Sequence, residues 1–166
     1  MLKRIKPFIG RIALLALGLG AAALSVTIDP ASAVSGHVVG KFKTDVVFGS
    51  DCQEASSQIC AIGSTTGNLK GAFTFGVTEF TATNDTPLTS VFRFSGDATV
   101  ETPGGTLTCK NAAALQTNAD QAFVSLCVVT GGTGEWAGAS GYLQVRGTFD
   151  FTGAATGEYV GNIEQP

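Results

Sequence analysis

"TGGTGEWAGASG", Thr130 to Gly141, places five glycines in twelve residues directly after the apolar run AFVSLCVVT. Its centre, Gly132-Thr133-Gly134-Glu135-Trp136-Ala137, satisfies the GxGxx(G/A) spacing of dinucleotide-binding loops. Such a loop needs a helix immediately behind it, because the first amides of the helix and its dipole hold the phosphate. The chain continues instead as AGASGYLQVRGTF, which begins with further glycines at Gly138 and Gly141 and then alternates apolar and polar residues as a strand does. It also lacks the GK(S/T) of a P-loop. The glycines therefore read as a turn between strands, and no nucleotide cofactor is expected.

On both sides of this turn, segments rich in Val, Phe and Thr recur, each bounded by Gly, Pro, Asn or Asp: GHVVGKFKTDVVF, LKGAFTFGVTEFTAT, LTSVFRFSGDATVET, GTLTCK, AFVSLCVVT, SGYLQVRGTFDF and GEYVGNIE. No long 3.6-residue apolar repeat appears, and the one stretch with helical character, Lys110 to Gln121, is short. Alternation is clear in Lys70 to Phe80, where Phe73, Phe75 and Val77 share a face, and in Gly141 to Phe151, where Leu143, Val145, Phe149 and Phe151 do. The chain is predicted to be all-β. A sheet of about seven or eight strands with one apolar face must bury that face by curling into a barrel or by splitting into two packed layers. Thr102-Pro103-Gly104-Gly105 reads as a tight hairpin turn, and Gly96 as the site of a bulge.

The stretch VVTGGTGEWAGASGYLQVRGTF, followed by GEYVGNIE, resembles the closing strands of the allene oxide cyclase and dirigent-like barrels, in which a GGTG turn, an aromatic residue, a GAxG and a further strand come in that order. The likeness spans Ala122 to Glu164, about a third of the exported chain. It implies a single antiparallel barrel of about eight strands. Gly131, Gly132, Gly134, Gly138 and Gly141 would let the chain turn and cross closely packed strands at the rim, and Trp136 would cap one end of the core. In the plant members such barrels bind a hydrophobic small molecule and guide ring closure or radical coupling without metal or nucleotide, often as trimers. The shared motif consists of turn and strand glycines, so it carries over a fold and no catalytic set.

The N-terminus bears on where this barrel works. Lys3, Arg4, Lys6 and Arg11 precede the apolar run Ile12 to Leu24, and Ala31-Ser32-Ala33 comes after it. These are the parts of a secretory signal peptide over residues 1–33, with cleavage after Ala33. The 13-residue run is well short of the roughly 20 residues of a spanning helix. Cleavage leaves 133 of the 166 residues, 34–166, as one barrel domain, outside the cell or in a periplasm. The leader takes four cations and one acid from the ten and thirteen of the whole chain, so six basic residues face twelve acidic ones. That surface repels phosphate backbones and anionic headgroups, which disfavours nucleic acid and membrane as partners.

All four cysteines lie in the exported part, and an even number in an oxidising compartment reads as two disulfides. Cys52 with Cys60 and Cys109 with Cys127 is the favoured pairing among three formal connectivities. With no CxxC and a single histidine, His37, placed far from the cysteines as a solvated residue on a first strand, neither a metal centre nor thiol redox chemistry is expected.

Nucleophilic catalysis finds no positioned Ser–His pair and no GxSxG. The remaining polar candidates are Glu79, in alternation with Phe73, Phe75 and Val77, and Arg93, inside a Phe-rich strand. In a barrel lumen these two would be held at low dielectric, where they could orient a ligand or steer a cyclisation. Tyr142 and Tyr159, on adjacent closing strands, would add hydroxyls, while Asp150 and Glu158 read as outward charges. Two functions fit these residues. One is a secreted barrel that holds a small hydrophobic molecule in its lumen or a partner on its surface, possessing no cofactor and able to form a dimer or trimer through exposed apolar residues. The other is a cofactor-free cyclase, isomerase or coupling guide. A lumen of roughly 300 Å³ or more with Glu79 and Arg93 converging inside favours catalysis, whereas a lumen plugged by phenylalanines favours an interaction role.

Overall fold

Gly36 to Phe48 alternates along its length, with Val38 and Thr44 buried and Lys41, Lys43 and Asp45 exposed between and beside them. This period of two makes it a strand with one wet face, and the same pattern repeats around the molecule. The computed structural model describes residues 36–52, 55–86, 89–117, 121–150 and 152–166; for residues 51, 82–86, 89 and 90 it describes the backbone alone. The expected leader, its cleavage site and Phe151 lie outside the described residues. The strands are β1 (Gly36–Phe48), β2 (Ile59–Thr65), β3 (Gly71–Thr86), β4 (Thr89–Thr102), β5 (Gly105–Gln116), β6 (Ala122–Gly132), β7 (Ser140–Phe149) and β8 (Ala154–Glu164). Each pairs antiparallel with its sequence neighbours, and β8 closes on β1 from Gly36↔Ile163 to Asp45↔Ala154. The eight strands form a closed barrel.

Two segments depart from the sequence reading. Of the stretch Lys110–Gln121, Lys110 to Gln116 are strand and not helix: they continue β5, paired with β4 on one side and β6 on the other, while residues 118–120 lie outside the described residues. Two rows of partners outweigh the helix preference of three consecutive alanines. β2 is not among the segments that composition singles out, being short and interrupted by a glycine. Gly63 is required there, because a Cβ would fall on the Lys43 carbonyl and the Thr44 Cα of β1.

The bulge expected at Gly96 lies opposite it. Val77 pairs with Gly96 and Glu79 with Ser95, which leaves Thr78 as the extra residue of β3. Ser57 Oγ donates to the Val77 carbonyl at 2.5 Å and Ser56 Oγ to the Thr78 carbonyl at 3.2 Å. The loop between β1 and β2 thus holds the bulge in place. Cys52–Cys60 pins this loop to the outer face, where Ala55 and Val47 complete a small second apolar cluster. Cys109–Cys127 ties β5 to β6 from the inside, so both disulfides join the favoured pairs. The Pro103-Gly104 turn joins β4 to β5 between the paired Thr102 and Gly105, as the sequence predicts.

The glycine-rich stretch turns the chain between β6 and β7. Gly134–Trp136 makes a single three-residue 3-10 turn, and β7 begins four residues later. Its amides are already used: Thr133 N–H bonds to Thr106 O, Glu135 N–H to Gly104 O, Trp136 N–H to Thr133 O and Ala137 N–H to Gly134 O, at 2.8 to 3.2 Å. No cluster of free amides remains for an anion among those four. Gly131, at φ 131°, makes the irregularity between Thr108 and Cys109 possible, a conformation that side chains rarely adopt. Trp136 packs against the core and donates from Nε1 to Thr102 Oγ1 at 2.9 Å, fastening this turn to the neighbouring hairpin.

Candidate functional site

Inward positions of the strands enclose a cavity of about 340 Å³. Its wall is almost wholly apolar and rich in aromatic rings, with Phe42, Phe75, Phe94 and Phe123 among them. One end is sealed by Leu69, Leu107 and Ile163, none more than 2% exposed. The other reaches the surface past Phe48 and Phe80, which line the cavity and yet are 64% and 49% exposed. Phe80 stacks on Phe92 with ring centroids 5.0 Å apart.

Glycines make room for these rings. Phe42, Gly157, Gly147 and Phe123 stand in register across β1, β8, β7 and β6. A Cβ on Gly157 would meet the Phe42 ring, and one on Gly147 would sit 3.0 Å from the Phe123 ring. The two phenylalanines therefore fold over two glycines and meet with centroids 5.9 Å apart. Tyr159 lies over Gly40 in the same manner.

Polar groups in the wall are few. Tyr159 is buried and its hydroxyl is committed, donating to Thr66 O at 2.7 Å and accepting from Leu69 N–H at 2.8 Å. Burial raises the pKa of this phenol, with the Leu69 amide pulling the other way. Thr65 Oγ1 donates to Leu69 O, and Ser125 Oγ to Asn111 Oδ1. Thr44 is different. It is only 2% exposed and lines the cavity, and among the described residues nothing hydrogen-bonds its hydroxyl.

Of the four ligand-binding candidates read from the sequence, only Tyr159 faces the lumen. The bulge at Thr78 shifts the alternation of β3 by one, so Phe80 turns inward and Glu79 outward, where its Oε2 accepts from Ser95 Oγ at 3.2 Å. Arg93 is exposed between the inward Phe92 and Phe94. Tyr142 is 41% exposed on the outer face and accepts a 3.3 Å hydrogen bond from Asn162 Nδ2. Glu79 and Arg93 thus do not converge inside, and among the described lining residues Tyr159 is the only side chain with a titratable proton. Glu158 points outward and pairs with Arg146, and Asp150 is exposed in the turn before β8. Among the described residues no cluster of His, Cys, Asp and Glu could hold a metal ion.

The outer face carries its own apolar band. In register run Ala112, Leu126, Gln144, Val160 and Val39, flanked by Val124 and Val128 on β6. Val124 is 61% exposed, and Leu126, Val128, Val39 and Val160 lie between 38% and 48%.

No family model matches the chain, and no curated protein does. Among solved structures, the pterocarpan synthase dirigent protein GePTS1 is similar to it at 14% sequence identity, over 81% of this chain and 86% of that one, with a TM-score of 0.36.

Proposed function

We propose that this chain is an exported barrel that carries a small hydrophobic molecule in its lumen. The observation that supports this reading is the apolar cavity of about 340 Å³, which falls in the roughly 300–1,000 Å³ range of ligand sites and reaches the surface past half-exposed phenylalanines. A protein that needed only a core would gain by filling it, since an interior is normally packed to the density of an organic crystal. Binding is favoured over cyclisation or coupling because Glu79 and Arg93, the pair that would have supplied acid, base or charge, stand on the outer face. Export is supported by the leader pattern in the sequence and by two disulfides, which suit an oxidising compartment.

Native mass spectrometry of the protein purified from its own producer tests the reading. A retained small molecule that is lost on unfolding is the expected result. A clean apo mass at high loading overturns it.

The outer band supports the second part of the expectation, self-association. Its occupant in this reading is another copy of the chain, because Lys41, Arg93 and Arg146 lie beside Glu158 at one margin and offer both signs of charge to an identical face.

A further inference from the structure

The lumen is apolar in area but not uniform in hydrogen-bonding state. Thr65 and Tyr159 have their hydroxyls matched by backbone groups. Thr44 does not. It sits on β1 between Gly63 of β2 and Ala155 of β8, two neighbours too small to cover it. A buried hydroxyl with no partner destabilises the fold that contains it, and valine would fill the same shape without that penalty. Across the lumen from it in strand order, β5 and β6 present the other open donor: Asn111 accepts from Ser125 through Oδ1, and its Nδ2 has no acceptor among the described residues. The Asn111 amide nitrogen can only donate and the Thr44 hydroxyl is able to donate, so an acceptor oxygen is the one partner that serves both. No Lys, Arg or His lines the cavity among the described residues, so a carboxylate or phosphate would be desolvated there without a counter-charge. Size sets the remaining limit. A cavity of about 150 Å³ holds one benzene, so about 340 Å³ takes a molecule of roughly two fused rings.

Resting on the lumen-binding reading, we infer that the ligand is an uncharged carbonyl compound of about two-ring size, and that Thr44 is the residue that hydrogen-bonds its oxygen. The Asn111–Ser125 pair is a second polar point for a ligand long enough to span the barrel.

The test uses three naphthalenes of matched size: 2-acetylnaphthalene, the ketone; 2-isopropenylnaphthalene, in which a CH2 replaces the oxygen; and 2-naphthoate. Affinities are measured by fluorescence titration for the whole exported chain and for Thr44→Val and Thr44→Ser. In Thr44→Val the ketone is expected to weaken about five- to tenfold, while the alkene binds as before or more tightly. Thr44→Ser keeps the ketone's affinity, and naphthoate binds to none of the three proteins at neutral pH. The thermal midpoint of ligand-free Thr44→Val should equal or exceed that of the parent, which separates a lost hydrogen bond from a damaged fold. Equal losses for ketone and alkene in Thr44→Val would mean that Thr44 acts only by packing, and tight binding of naphthoate would remove the claim of an uncharged ligand. Either result overturns this inference and leaves lumen binding standing. If neither neutral naphthalene binds the parent protein, the lumen reading falls and takes the inference with it.

Discussion

At the sealed end of the barrel, Leu69, Leu107 and Ile163 are no more than 2% exposed, and the hydroxyls of Tyr159 and Thr65 beside them are matched: Tyr159 to Thr66 O and Leu69 N–H, Thr65 to Leu69 O. Toward the other end the same strands leave Phe48 and Phe80 half in water and the Thr44 hydroxyl unmatched beside an unfilled space. Both ends are made by one alternating pattern, so alternation alone does not separate them. What separates them is the matching of polar groups and the filling of volume. The sealed end satisfies both, and the other end leaves both open.

The largest expected effect tests that contrast directly. Leu107→Ala removes a side chain 1% exposed at the sealed end and should lower the unfolding free energy by about 2–5 kcal/mol. Phe80→Ala removes a larger ring that is 49% exposed, and with roughly half of a full burial lost it should lower stability by about 1 kcal/mol. Urea midpoints at constant m-value measure both. If the phenylalanine proves as costly as the leucine, the open end is part of the core and the contrast is lost.

A smaller effect comes from the hydroxyl that closes the sealed end. Tyr159→Phe leaves the Leu69 amide and the Thr66 carbonyl without their partner and should cost about 1–3 kcal/mol. The pH dependence carries a sign that a packing defect would not. Burial raises the folded-state pKa of Tyr159 above its value of 10.0, so between the two values the unfolded chain releases a proton that the folded one keeps. Stability from this group is therefore complete below pH 10 and declines as the pH rises past it. Chemical denaturation from pH 8 to 11 should show a shallower alkaline decline in Tyr159→Phe than in the parent. Parallel declines would mean that the phenol is not held away from water in the folded protein.

Much of the barrel is legible in the chain itself, and the exceptions share a cause. Phe42, Thr44, Val46 and Phe48 alternate openly, as do Leu143, Val145 and Phe149, and these positions do face the lumen. The alternation also contains Thr44, a lone hydroxyl flanked two residues away on each side by Phe42 and Val46, but it marks only a face and not whether a hydroxyl there finds a partner. Alternation misplaces Glu79 because a single extra residue, Thr78, reverses the side chains that follow it, Glu79 to Thr81, and nothing local distinguishes Gly-Val-Thr-Glu as a bulge from the same residues in a regular strand. What fixes the bulge is Ser56 and Ser57, some twenty residues away in sequence. β2 and the alanines of β5 escape a local reading for the same reason: their state is set by neighbours across the barrel rather than by their own composition.

The smallest effect belongs to the open end and concerns the turn that leads into β8. Asp150 is fully exposed, yet its Oδ1 accepts from the Thr152 hydroxyl at 2.5 Å, the Thr152 amide at 2.9 Å and the Ala154 amide at 3.0 Å. These bonds, led by the Thr152 hydroxyl and then the Ala154 amide, favour the carboxylate and lower its pKa from 3.8. A depressed carboxyl pKa contributes stability that is present above the unfolded value and is lost as the pH falls through the folded one. Asp150→Asn keeps an acceptor oxygen in the turn but removes this titration. Thermal midpoints followed from pH 6 to pH 2 should therefore converge, with the parent ahead at neutral pH and its lead shrinking below about pH 4. A lead that stays constant into acid would assign the role of Asp150 to shape alone, and the turn at the open end would then be held by geometry, as the sealed end is, rather than by charge.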